Sequence, residues 1–167
     1  MPKPKTRVVS MRTRDLMEVP PTVVPEDATI DEAASSMWEG NIGSVIVVDK
    51  AGVMLGILTE RDVLFAVTKS LTGKGIPVTS VMSKTSLKAS PNENIVTAVD
   101  RMTRANVRHL PVVSKEGVPL GMISMRDAMS ISEPLLKFVL SSARKRRSEA
   151  GAAAPEPPEA DPESESD

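Results

Sequence analysis

Shifted by 65 positions, the sequence overlays itself without a gap. Met17 falls on Met82, Ile30 on Ile95, Ala33 on Ala98 and Met37 on Met102. Farther along, Val47-Val48 falls on Val112-Val113, Gly52-Val53 on Gly117-Val118, Leu55-Gly56 on Leu120-Gly121, and Arg61-Asp62 on Arg126-Asp127. A single register held over so long a stretch marks a duplicated unit. The chain is therefore limited to folds in which two small halves share a core.

Each copy reads in the same order. A short extended piece, "TVV" (22–24) or "LKA" (87–89), leads into an amphipathic helix. In the first copy Thr29-x-x-Glu32 is a capping box ahead of Ile30, Ala33, Ala34 and Met37; in the second, Asn94 caps Ile95, Ala98, Val99 and Met102. A β-rich run follows, "SVIVV" or "HLPVV", then a turn ending in glycine, "DKAG" or "SKEG". A second strand, "VMLGIL" or "VPLGMI", closes the hairpin, and Thr59 or Ser124 caps a last helix. Pro111 inside "HLPVV" places that run at a sheet edge or a strand start. The apolar stretch "PLLKFVL" (134–140) predicts one more helix.

The rest of the composition mainly excludes. There is no cysteine and one histidine, which removes thiol chemistry and nearly excludes a Cys/His or metal site, and the many carboxylates form no pair that the sequence can place. "TGKG" at 72–75 lacks the spacing of a phosphate loop. The reading is accordingly a protein that is not an enzyme. No apolar run reaches the roughly 18 residues of a membrane span, and the N-terminus lacks a signal-peptide core, which predicts a cytoplasmic protein without membrane contact. Basic charge sits at residues 1–14 and in "RKRR" (144–147), and the last twenty residues carry acids only. With only Trp38, Phe65 and Phe138 as aromatics, the basic ends do not make a base-stacking surface, so a nucleic acid partner is not expected. The tail "EAGAAAPEPPEADPESESD" has no large apolar residue and is expected to be disordered.

A doubled β-α-β-β-α unit ending in G-(I/M)-(L/I)-(T/S)-x-R-D resembles the cystathionine-β-synthase (CBS) domain, and two in tandem resemble a CBS pair, or Bateman module. The resemblance covers about residues 13–130. It implies an α+β fold of two tandem β-α-β-β-α repeats packed with pseudo-two-fold symmetry. The chain then divides into a flexible arm (1–12), repeat one (13–71), a linker (72–78), repeat two (79–131), a C-terminal helix (132–147) and the acidic tail (148–167). The resemblance further implies a regulatory module that binds AMP, ADP, ATP or S-adenosylmethionine between its repeats. Such pairs usually form homodimers and pass a packing change to a protein partner, here unidentified. No enzyme or channel accompanies the repeats in this sequence, so the pair reads as free-standing.

The residues fit that chemistry. Asp62 and Asp127 can accept from two ribose hydroxyls, and Thr59 and Ser124 stand at helix starts, where free N–H groups and the helix dipole favour an anion. Gly56 and Gly121 would let backbone or ligand approach closely. The resemblance gives the aspartates the same ribose role and sets the adenine against Val24 and Val45 in one copy and Ala89 and Leu110 in the other. Copy two carries Arg108-His109 where copy one has Gly43-Ser44. In the family, basic residues there often meet phosphate, so the clefts are expected to be unequal. Two alternative readings stay open: T-x-x-D is also a plain helix cap, and the rival to the ligand reading is a ligand-independent dimeric scaffold or protein-interaction module built on "VLFAV" (63–67) and "PLLKFVL".

Overall fold

The computed structural model describes residues 11–84 and 87–130. After a 3-10 turn at Thr13–Asp15 the first repeat runs β1 (Val23–Pro25), α1 (Ile30–Gly40), β2 (Ser44–Val48), β3 (Met54–Thr59) and α2 (Glu60–Thr68). A second 3-10 turn at Val78–Ser80 opens the other repeat, with α3 (Ile95–Arg104), β4 (His109–Val113) and β5 (Pro119–Ser124). Residues 125–130 are helical. By its contacts the chain divides into Met1–Met129 and Ser130–Asp167. The expected helix at 132–147, the tail at 148–167 and the first ten residues of the arm lie outside the described residues.

The caps form as the sequence predicts. Thr29 Oγ1 accepts from Glu32 N at 3.2 Å while the Glu32 carboxylate accepts from Thr29 N at 2.8 Å. Asn94 accepts from Val96 N at 2.9 Å. Each bond satisfies a helix-terminal N–H that has no partner within the helix. Ile30, Ala33 and Met37 on α1, and Ile95, Ala98 and Met102 on α3, form the buried stripes. In the hairpin turns Gly52 and Gly117 take φ of 79° and 88°, where a side chain would be strained. Asp49 Oδ1 and Ser114 Oγ hold those turns by accepting from the backbone N–H groups of Ala51 and Val53, and of Glu116 and Val118.

The copies differ in their sheets. In the first, β1 pairs parallel with β2, which pairs antiparallel with β3. In the second only β4 and β5 form a ladder, and the segment expected as the first strand makes a single bridge, Ala89 to Val112. Pro111 accounts for this. Its counterpart Ile46 donates its N–H to Thr22 O at 3.0 Å. A proline has no such donor; the segment joins β4 through the bonds from Ala89 N to Pro111 O and from Val113 N to Ala89 O. Pro111 thus lies mid-strand, with its donorless side turned to the short segment.

The two cores are built by exchange. Residues 11–18 precede β1, the first strand of repeat one, yet Met11, Leu16 and Met17 pack on the core of Ile95, Ala98, Met102, Leu110, Val112 and Ile123. Thr13 N donates to Glu93 O at 3.0 Å, and Glu18 bridges Met122. Reciprocally, Val78, Val81 and Met82 pack on the core of Val24, Ala33, Met37, Val45, Val47 and Leu58, and Ser83 bridges Ile57. The two glycines mark these crossings. A Cβ on Gly56 would lie 2.5 Å from Ser83 O, and one on Gly121 would lie 2.6 Å from Met17 Sδ and 2.9 Å from Glu18 O. It is the crossing backbone that approaches them. Met11 and Arg12, the end of the expected arm, are engaged: Met11 packs on the second core and Arg12 bridges Asn94.

Candidate functional site

The exchange leaves a cavity of about 470 Å³ lined by both repeats, within the range of small-molecule sites. Its floor is set by symmetry. β2 and β4 begin at equivalent positions, and the residue before β2 meets the first residue of β4: a Cβ on Gly43 would lie 3.2 Å from His109 Nε2 and 3.4 Å from a Glu60 carboxylate oxygen. Equivalent backbone bonds, Glu60 N to Gly43 O at 3.1 Å and Met125 N to Arg108 O at 2.8 Å, tie each helix start to its strand start. Copy one adds Pro21, Thr22 and Ser44, together with Ala34, Met37, Trp38 and Asn41 of α1. Copy two adds Arg108, Met122, Ser124, Met125, Arg126 and Asp127. Glu18 and Pro20 of the crossing segment complete the wall.

Ser124 and Asp127 form a closed cap. Asp127 Oδ2 accepts from Ser124 N at 3.1 Å and from Ser124 Oγ, and Ser124 Oγ accepts from Asp127 N at 3.1 Å. Thr59 and Asp62 repeat it: Asp62 Oδ2 accepts from Thr59 N at 2.8 Å and Oγ1 at 2.7 Å. The capping reading is therefore realised in both copies. It holds each carboxylate in a fixed orientation.

Of the residues expected at the site, the cavity brings together Ser124, Asp127, Arg108 and His109. Thr59 and Asp62 do not line it. Val24, Val45, Ala89 and Leu110, expected against the base, are core residues at 5%, 0%, 2% and 0% exposure and do not line it either. Their side chains take the inward face of each strand. The helix start of copy two shares this cavity with Thr22, Gly43 and Ser44 of copy one. Glu18, Glu60, Trp38 and Arg126 are wall residues that the sequence did not single out for a ligand. Glu60 and Arg126 lie within the "TERD" and "SMRD" stretches, so the repeated motif itself was their signal.

Arg108 and Arg126 bring fixed positive charge; Glu18, Glu60 and Asp127 bring carboxylates. His109 is half-buried, and burial holds its imidazole below the ordinary value of 6.5, with Arg108 acting the same way and Glu60 opposing. The unfolded chain therefore takes up this proton first as pH falls. The stability that the neutral imidazole contributes is complete above pH 6.5 and declines as pH drops toward the folded value. We expect the unfolding midpoint of wild type to fall against that of His109→Gln on going from about pH 7 to about pH 5. A difference that does not change with pH would remove His109 from the buried set.

The CBS domain family model matches residues 14–69 and again 78–133. The chain belongs to the CBS domain family. Its two CBS repeats are 32% identical, over 114 residues, to the CBS domain-containing protein YhcV of Bacillus subtilis, covering 68% of this chain and 80% of that one. An uncharacterised 17.7 kDa protein of Acidianus ambivalens is 36% identical over 107 residues, 63% of each chain, so this chain spans under two thirds of that relative. Among solved structures, a CBS domain protein from Pyrobaculum aerophilum complexed with AMP superposes with a TM-score of 0.66 at 28% identity, covering 70% of this chain and 89% of that one. Among the described residues no helix is long and apolar enough to cross a membrane.

Proposed function

We propose that this CBS pair is a regulatory module that binds an adenosyl ligand in the cavity between its repeats. The observation that carries the reading is the juxtaposition in one cavity of Ser124 and Asp127, suited to ribose hydroxyls, with Arg108 and Arg126, suited to a phosphate. The AMP complex of the Pyrobaculum relative supports it. His109, neutral near pH 7, supplies a donor or acceptor there and no fixed charge. The crossing segment gives binding a route to both halves: Glu18 bridges Met122 of copy two, and Thr22 pairs with Ile46 of copy one, so a ligand touching both ends biases how the repeats pack. A protein partner that reads this packing is part of the proposal, as is a cytoplasmic setting.

Calorimetric and thermal titrations with AMP, and separately with S-adenosylmethionine, test the reading. At about 100 times its dissociation constant a ligand adds about 2.7 kcal/mol, a rise of about 5–10 °C for a domain of this size. The scaffold reading has its own observation: Leu64, Phe65 and Val67 of α2 stay 64%, 50% and 54% exposed, an apolar face suited to a second copy. No heat with either ligand, together with a mass that doubles with concentration in light scattering, would turn the assignment to that scaffold.

A further inference from the structure

We infer that Trp38 is the aromatic wall of this cavity, stacking on the base of the bound ligand. The inference rests on the adenosyl reading above and adds to it a residue that selects for a planar base.

Helix α1 presents two stripes. Ile30, Ala33 and Met37 go to the core, and Met37 keeps only 4% of its surface exposed. One position round the helix, Ala34, Trp38 and Asn41 follow at i, i+4 and i+7, and all three line the cavity. Trp38 is 87% exposed, so the indole makes almost no contact within the described chain. An adjoining core position would have buried it. Instead, a large flat apolar ring stands bare on the wall of a concave site that Ser124 and Asp127 also line. Planar heterocycles cover such rings readily, because stacking needs only two π faces. Phe65, the other aromatic among the described residues, does not line the cavity. The 65-residue shift puts Thr103 where copy one has Trp38, so the ring belongs to copy one alone.

Trp38 is the only tryptophan, so indole emission reports on this position alone. AMP is the probe, followed by emission and by calorimetry on the same full-length protein. We expect a saturable emission change whose midpoint matches the calorimetric one. Trp38→Leu is expected to weaken AMP binding about tenfold to a hundredfold, the range of single-base stacking. Trp38→Phe should stay within about threefold of wild type by the same stacking argument. Because the ring is exposed, both variants should keep the wild-type unfolding midpoint. Emission that does not move at calorimetric saturation, or full affinity in Trp38→Leu, overturns the inference and leaves the adenosyl reading standing. Emission that shifts with protein concentration alone also overturns it, by placing the ring between two copies. Absence of AMP and S-adenosylmethionine binding to wild type by calorimetry overturns the adenosyl reading and this inference together.

Discussion

Gly56→Ala is expected to lower stability by about 3 kcal/mol, the upper part of the range for forcing atoms into a packed site, and the unfolding midpoint by about 10 °C. The added Cβ would lie 2.5 Å from Ser83 O, a backbone atom with no rotamer to change. That oxygen accepts from Ile57 N at 3.1 Å, and Ser83 N donates back to Ile57 O at 2.9 Å. Relieving the clash therefore breaks the bridge that ties the second lead segment to β3. Gly121→Ala is the informative companion. Its nearest neighbours are the Sδ and Cγ of Met17, which can swing away, and Glu18 O at 2.9 Å, which cannot do so without moving the cavity wall. Its loss of stability should be smaller, about half, and should come with weaker AMP binding. Equilibrium unfolding in urea measures both. A Gly56→Ala protein within about 0.5 kcal/mol of wild type, the scatter of ordinary surface changes, would mean that the segments do not cross there.

The second large effect is on ligand affinity. Asp127→Ala is expected to weaken AMP binding by about 10- to 150-fold, the value of hydrogen bonds to a charged group. Asp62→Ala should leave it within about threefold, because Asp62 does not line the cavity. The pair is well matched. Each carboxylate accepts from the N–H and hydroxyl of the residue three positions earlier, so each substitution removes the same kind of cap. Both variants should lose about 1 kcal/mol of stability for that reason. Equal losses of stability with unequal losses of affinity would assign Asp127 to the ligand. Equal losses of both would reduce Asp127 to a cap.

The sequence made the local structure legible and left the global pairing ambiguous, for one physical reason. Capping boxes, hairpin glycines and helix stripes are set by residues within a few positions of one another. Thr29 with Glu32, Gly52, and Ile30 with Ala33 and Met37 therefore read correctly without knowledge of the fold. Which core a lead segment covers is different. Met17 and Met82 occupy equivalent positions before two cores of nearly the same apolar pattern, so residue type alone does not say that Met17 belongs with Met102 and Met82 with Met37. The cavity walls depend on that pairing, because Glu18 and Pro20 of the crossing segment line them. Val24, Val45, Ala89 and Leu110 show a finer limit: a strand residue can face the core or away from it, and alternation names the two faces without saying which is which. All four lie in the core, whereas Val23, one position before Val24, is 45% exposed.

The exchanged lead segments also bear on how the chain reaches this structure. Met11 and Met17 must wait for α3 and β5, which lie about a hundred residues away along the chain, and the first core stays open until Val78 and Met82 arrive. Contacts this distant in sequence raise the contact order and slow folding relative to two repeats that each closed on themselves. The same threading makes the repeats interdependent once formed: neither core keeps its full set of side chains if the other opens. The pair should thus unfold in a single transition, and a disturbance that loosens one half is transmitted to the other through covalent chain as well as through contact.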